Sequence, residues 1–180
     1  MKMQELTGAS LLAALALVFQ LSPFWPTHFG MRLDLVAVPW LICLFLFGFR
    51  AGMLSMTATC VVICFIGEAS WLGALMKFSA TLPSMLLLGL VLRYKKRTLL
   101  FFAAFAALAV RSVGMVFLNY FFALPLWLHK ATAEIISNEL TIAIIAMNAL
   151  QGVIELLLAY GIVYHTKLRR HAKHLYSKKV

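Results

Sequence analysis

Residues 139–164 read ELTIAIIAMNALQGVIELLLAYGIVY, a run long and apolar enough to cross a bilayer as one helix. Inside it stand Asn148, Gln151 and Glu155. Their spacing, i, i+3 and i+7, places them along one face of that helix. A polar stripe is costly against lipid, so it must face protein, a cavity or a ligand. Two readings follow: the stripe glues helices together, as small polar residues in membrane helices often do, or it lines a binding site.

The rest of the chain fits this stretch. Of its 180 residues 63% are hydrophobic and 12% charged, whereas a soluble domain is closer to half apolar and a quarter charged. An all-α integral membrane protein is therefore expected, with room for about five or six spans. The formal charge of +10 does not point to nucleic acid. The basic residues collect between apolar runs and at the C-terminus, where anionic lipid headgroups are the natural counter-charge. Cys43, Cys60 and Cys64 all lie in apolar runs without His or carboxylate neighbours. They read as small buried hydrophobes rather than metal ligands or disulfide partners. The first apolar run shows no small-residue cleavage site and is expected to be retained.

Apolar runs and breakers give six spans in a single domain, at about 6–21, 35–47, 53–66, 74–92, 99–122 and 140–164, with a basic tail over 165–180. Ala9 and Ala13 form a small-residue strip on the first span, suited to close helix packing inside the chain or with another subunit. With six spans both termini share a side. That side carries Lys2, Arg50, the RYKKR loop at 93–97 and the tail, which places both termini in the cytoplasm. Arg111 lies 14 residues after Arg97, and Glu155 lies 12 before Lys167. The two charges therefore share a depth and are expected to pair as a structural clasp. A charge there without a partner costs roughly 2.5–3.5 kcal/mol on insertion scales. Lys77, near the start of the fourth span, either snorkels to the headgroups or faces a ligand. Asn119, Asn148 and Gln151 fall in the outer half of the bundle. Amide side chains offer both donors and acceptors and suit a neutral heterocycle better than a metal ion or a phosphate. Phe29, Trp40, Trp71, Tyr120, Phe121 and Phe122 are candidates to stack on a flat ring.

Five stretches also carry a family resemblance. GASLLAALALV resembles an Ala-x-x-x-Ala docking helix. RLDLVAVPWLICLFLFGFRAG resembles a K-x-D-F-S-D-I-P…F-G-P-x-x-G stretch, with Asp34, Pro39, Gly48 and Gly52 in place. GEASWLGALMKFSATLPSMLL resembles G-E-x-x-G-x-L-M-N-F and keeps Gly67, Glu68 and Phe78. NYFFALPLW resembles N-Y-F-x-x-x-P-L-Y, and MNALQGVIE resembles F-N-L-I-K-G. In this order they resemble the substrate-binding S component of energy-coupling factor (ECF) vitamin transporters, of the riboflavin-binding RibU type.

That resemblance implies a six-transmembrane-helix bundle with the S-component fold and no catalytic residues, metal or cofactor of its own. It implies a vitamin captured outside, and docking through Ala9 and Ala13 on a transmembrane coupling subunit that works with two ATP-binding cassette ATPases. The setting would be a prokaryotic cell membrane. The family's flavin contacts fall on Asn119, Asn148 and Gln151, and Asp34, Glu68 and Lys77 join the candidate set. Two positions depart from the pattern: the family's Lys is Gln151, and its Asn in L-M-N-F is Lys77. Three functions stay open: a flavin-binding S component; one for another vitamin such as pantothenate, folate, thiamin or a pyridoxine-like compound; and a small intramembrane enzyme using Glu155, His129 or Lys77. No His/carboxylate cluster or Ser/His arrangement supports the enzyme. No Gly-rich phosphate loop is present, so a partner must hydrolyse ATP.

Overall fold

The computed structural model describes residues 2–21, 25–26, 32–66, 70–94 and 96–166. Glu68, Phe29 and most of the basic tail lie outside them. The chain opens with α1 (Met3–Leu21), then a short antiparallel pair, β1 (Trp25–Pro26) with β2 (Arg32–Leu33). Next come α2 (Ala37–Phe47), α3 (Phe49–Ile63), α4 (Ser70–Val91), α5 (Arg97–Leu118), two short helices α6 (Leu124–Leu128) and α7 (Thr132–Ile135), and α8 (Asn138–His165).

Among the described residues four segments are long and apolar enough to cross a membrane: Met3–Leu21, Trp71–Tyr94, Arg97–Leu128 and Asn138–His165. The expected second and third spans form α2 and α3, of 11 and 15 residues. At 1.5 Å per residue α2 is only about 16 Å long, against a hydrocarbon core of about 30 Å. By length and composition, then, four helices qualify as crossings on their own, and α2 and α3 are shorter apolar helices. The reason α2 is short lies in its position. Every residue from Ala37 to Phe45 is buried, and the helix packs against α1, α3, α4 and α8. It is the core of the bundle, so protein rather than lipid surrounds it.

Gly48 ends α2. Its φ of 90° lies in the left-handed region that glycine enters without a Cβ penalty, and there the chain turns into α3. One turn on, Gly52 lies against the backbone of α2. A Cβ added there would stand 3.2 Å from Leu44 Cα. The two helices thus meet backbone to backbone, and a branched side chain has nowhere to go. Gly52→Val is expected to cost about 1–3 kcal/mol of stability, the usual penalty for overpacking. A thermal melt in detergent reads this directly, and a melting point equal to wild type would contradict the close contact.

Trp40, fully buried, fixes the other end of this core. Its indole Nε1 donates to Thr59 Oγ1 at 3.0 Å, and the Thr59 hydroxyl reaches Ser55 O at 2.8 Å and Ala13 O at 3.3 Å. The bonds tie α2, α3 and α1 together. Trp40 is therefore a core residue with its polar atom satisfied, not a ring waiting for a ligand.

The Ala9 and Ala13 strip takes the internal of its two readings. The residues are 1% and 7% exposed, and α1 packs on α2 and α3 through them and Ala16. Only small side chains let α1 approach this closely. The outward face of α1 carries Leu11, Leu15, Val18 and Leu21 instead. The docking through Ala9 and Ala13 that the resemblance implies would need these residues on the surface, and the fold turns them inward instead. Ala13→Leu should lower the stability of the isolated chain by about 1–3 kcal/mol, read as a drop in melting point without any partner present.

The helix after Arg97 also runs further than the expected 99–122. Residues Asn119–Ala123 form a π-helical turn, with Leu124 N–H bonding back to Asn119 O, and the helix continues to Leu128. Pro125 explains the turn: it has no N–H to give Phe121 O, and its ring crowds that carbonyl. One wider turn absorbs the misfit. His129, at φ 53°, then ends the segment. Across the gap, Ser137 caps α8 by accepting from Leu140 N–H at 3.2 Å.

Candidate polar site between the helices

The polar face of α8 begins a chain of polar contacts that reaches three other elements. At its middle, Arg111 Nη1 on α5 donates to Glu155 Oε2 at 2.5 Å, with the side chains 3% and 2% exposed. Gly152 makes the approach possible. A Cβ there would come within 2.5 Å of Leu108 Cδ2 and 3.4 Å of Arg111 Cδ and Nη1. The Arg111 side chain therefore lies across the bare backbone of α8.

The second carboxylate oxygen of Glu155 is also engaged. Its Oε1 accepts from Gln151 Nε2 at 2.9 Å, and the same Nε2 lies 3.5 Å from the carbonyl oxygen of Asp34. Asp34 lies three residues before the start of α2. Its Oδ1 accepts from Val36 N–H at 3.0 Å, and its Oδ2 is bonded to Lys77 Nζ of α4. A continuous chain thus runs Arg111, Glu155, Gln151, Asp34, Lys77, linking α5, α8, the entry to α2 and α4. Two cations meet two anions, and each buried charge has its counter-charge, the condition under which burial is tolerable. Lys77 does not snorkel; it turns to Asp34. Gln151 acts as the bridge between the two ion pairs.

Asn148 and Asn119 stand apart from this chain. Asn148 is 8% exposed, and its Nδ2 donates to Ile144 O at 2.9 Å. Asn119 Nδ2 donates to Met115 O at 2.7 Å. In each case the amide nitrogen must face the carbonyl one turn back, which turns Oδ1 away from the helix as an acceptor. Asn119 sits at the start of the π-helical turn. The next residue, Tyr120, is buried with its hydroxyl on Ser137 O at 3.0 Å and Thr141 Oγ1 at 2.7 Å. Thr132 Oγ1 bonds Tyr120 O at 3.2 Å. These bonds strap α7 and the start of α8 to the end of α5. Among the other aromatics, Trp71 meets Phe122 edge to face at 6.1 Å, close to the same end of the bundle, while Phe121 is exposed.

The Tyr120 strap, Gly152 and the Thr59 hub were not singled out from sequence. Gly152 carried a signal: a glycine beside Gln151, on the face of a helix expected to meet an arginine. Thr59 and Ser137 carried none that distinguishes them from other hydroxyl residues in apolar helices. Among the described residues no group of His, Cys, Asp and Glu could hold a metal ion.

Fold and site together define a small helical membrane protein whose polar interior, among the described residues, pairs two cations with two anions and adds amide groups. Residues 4–165 match the family described as the ECF transporter, substrate-specific component. The chain belongs to that family. It is similar to a solved S component of a bacterial ECF transporter, with 26% sequence identity and a TM-score of 0.73, over 96% of this chain and 97% of that one. No curated protein matches it. As a member of the family it is a substrate-binding transport subunit, not an enzyme, and it works with the transporter's coupling and ATPase subunits.

Proposed function

We propose that this chain is the substrate-capture subunit of an ATP-driven vitamin importer, and that its ligand is riboflavin or a related flavin. The observation that carries this reading is the charge balance: Arg111 is met by Glu155 and Lys77 by Asp34. Among the described residues the charges of the site cancel, which favours a neutral polar ligand over an anion such as pantothenate or folate, or a cation such as thiamin, because a bound charge would be desolvated. Asn119 and Asn148 present acceptors to a heterocycle N–H, and their remaining amide N–H groups can meet its carbonyls. A flavin ring alternates these groups and carries no formal charge. A neutral pyridoxine-like vitamin is the second reading on the same ground.

In this account both termini face the cytoplasm of a prokaryotic cell. Lys2, Arg50 and the loop at 93–97 share that side, and the ligand enters from the opposite end, where the π-helical turn, α6, α7 and Asp34 lie. Captured vitamin crosses only when the coupling protein and two ATPases drive the subunit to reorient. The test is uptake of labelled riboflavin by cells without a riboflavin importer of their own. Uptake is expected when this chain is expressed with the coupling protein and ATPases, and it should stop when an ATPase is inactivated. Uptake that is the same with inactive ATPases would count against the importer reading.

A further inference from the structure

We infer that the end of the bundle formed by the start of α3, the end of α4 and the start of α5 is a binding surface for the headgroup of an anionic phospholipid. Arg50, Arg93, Lys96 and Arg97 stand there, and all four are exposed. Packing gathers them from three helices. Gly89 of α4 lies so close to α3 that a Cβ would come within 2.6 Å of Phe49 Cδ2. Arg50 follows Phe49 directly, Arg93 comes about one turn after Gly89, and Lys96 and Arg97 open α5. Among the described residues none of the four side chains has an ion-pair or hydrogen-bond partner. Glu5, in the first turn of α1, accepts from Lys2 N–H instead.

Some of these cations stand against the field of their own helix. A helix N-terminus is its positive end, where carboxylates are favoured and cations are not. Arg50 lies in the first turn of α3. Arg97 lies in the first turn of α5, with Lys96 at its cap. Neither first turn carries an acidic residue, and neither cap supplies a side-chain hydrogen bond. Positive charge therefore collects at two helix ends with no described side chain to answer it, and an anion from outside relieves it. The apolar residues beside the cluster say which anion. Leu90 of α4 and Leu99, Phe101 and Phe102 of α5 are exposed next to the cations along their helices, and Tyr94 is exposed between them. A phosphate over an apolar flank, with an aromatic at the boundary, is the layout of a phospholipid at a membrane edge. An acidic protein face would leave those apolar side chains unmatched. The surface takes this lipid whatever ligand the chain transports.

The full chain, purified in neutral detergent, is titrated with phosphatidylglycerol and with phosphatidylcholine of the same acyl chains, and bound lipid is counted by native mass spectrometry. Wild type should hold the anionic lipid about tenfold or more tightly, at about fivefold for each basic residue engaged. Arg50→Gln/Arg93→Gln/Arg97→Gln should hold the two lipids alike. Its melting point without lipid should be that of wild type, because the three side chains are exposed. Arg97→Gln alone should lose about fivefold and serves if the triple variant does not fold. Lys130→Gln, exposed at the other end of α5 and α6, should keep the wild-type preference. A folded triple or Arg97→Gln variant with an undiminished preference overturns the inference. So does loss of the preference in Lys130→Gln, since net charge alone would then explain it. Equal binding of both lipids by wild type overturns it too, and leaves an acidic face of a partner subunit as the counter-charge. Displacement of phosphatidylglycerol by an equal concentration of inorganic phosphate would make this a free-phosphate site and overturns the lipid assignment.

Discussion

Glu155→Ala is expected to lower the stability of the detergent-solubilised protein by about 3–5 kcal/mol, the cost of leaving a buried charge without its partner. It removes the Glu155 Oε2 contact that meets Arg111 Nη1 at 2.5 Å and the Oε1 contact that meets Gln151. The guanidinium cannot escape to water: it is 3% exposed, and its Nε is already without a hydrogen-bond partner. Arg111→Ala strands the carboxylate in the same way. The double replacement Arg111→Leu/Glu155→Leu should recover most of the loss, because removing both charges also removes the cost of burying them. Thermal unfolding of the three variants forms a double-mutant cycle. Additive losses would mean that the two charges do not depend on each other and would sink the clasp.

Asn148→Ala is expected to weaken riboflavin binding by about 1–3 kcal/mol, or roughly 5- to 150-fold in Kd. The residue's own helix bond, to Ile144 O at 2.9 Å, contributes little that alanine lacks, so the melting point should change far less than the affinity. Asn119→Ala should behave similarly. The split between affinity and stability is the informative readout. A loss of stability with unchanged Kd would make Asn148 helix packing and return the polar stripe to its role as glue.

Much of this was legible in the sequence, and what was not has a common cause. The polar face of α8 could be read because helical periodicity fixes which residues of one helix share a side. The depth of Arg111 and Glu155 could be read because basic loops mark the membrane edge. Contacts between elements far apart in the chain could not. Gln151 reaches a backbone carbonyl 117 positions away, and Lys77 reaches Asp34 across 43. No local pattern encodes such partners. The facing of Ala9 and Ala13 was equally hidden, because α1 is apolar on every side and its sequence does not say which side meets protein. Trp40 reads as a candidate to stack on a flat ring until its bond to Thr59 is seen.

The most direct test of the central claim is a riboflavin titration of the purified chain alone, followed by quenching of flavin fluorescence. The account predicts saturable quenching at one riboflavin per chain, and a weaker titration for Asn148→Ala. Fluorescence that stays unchanged at every ratio of protein to riboflavin would contradict it.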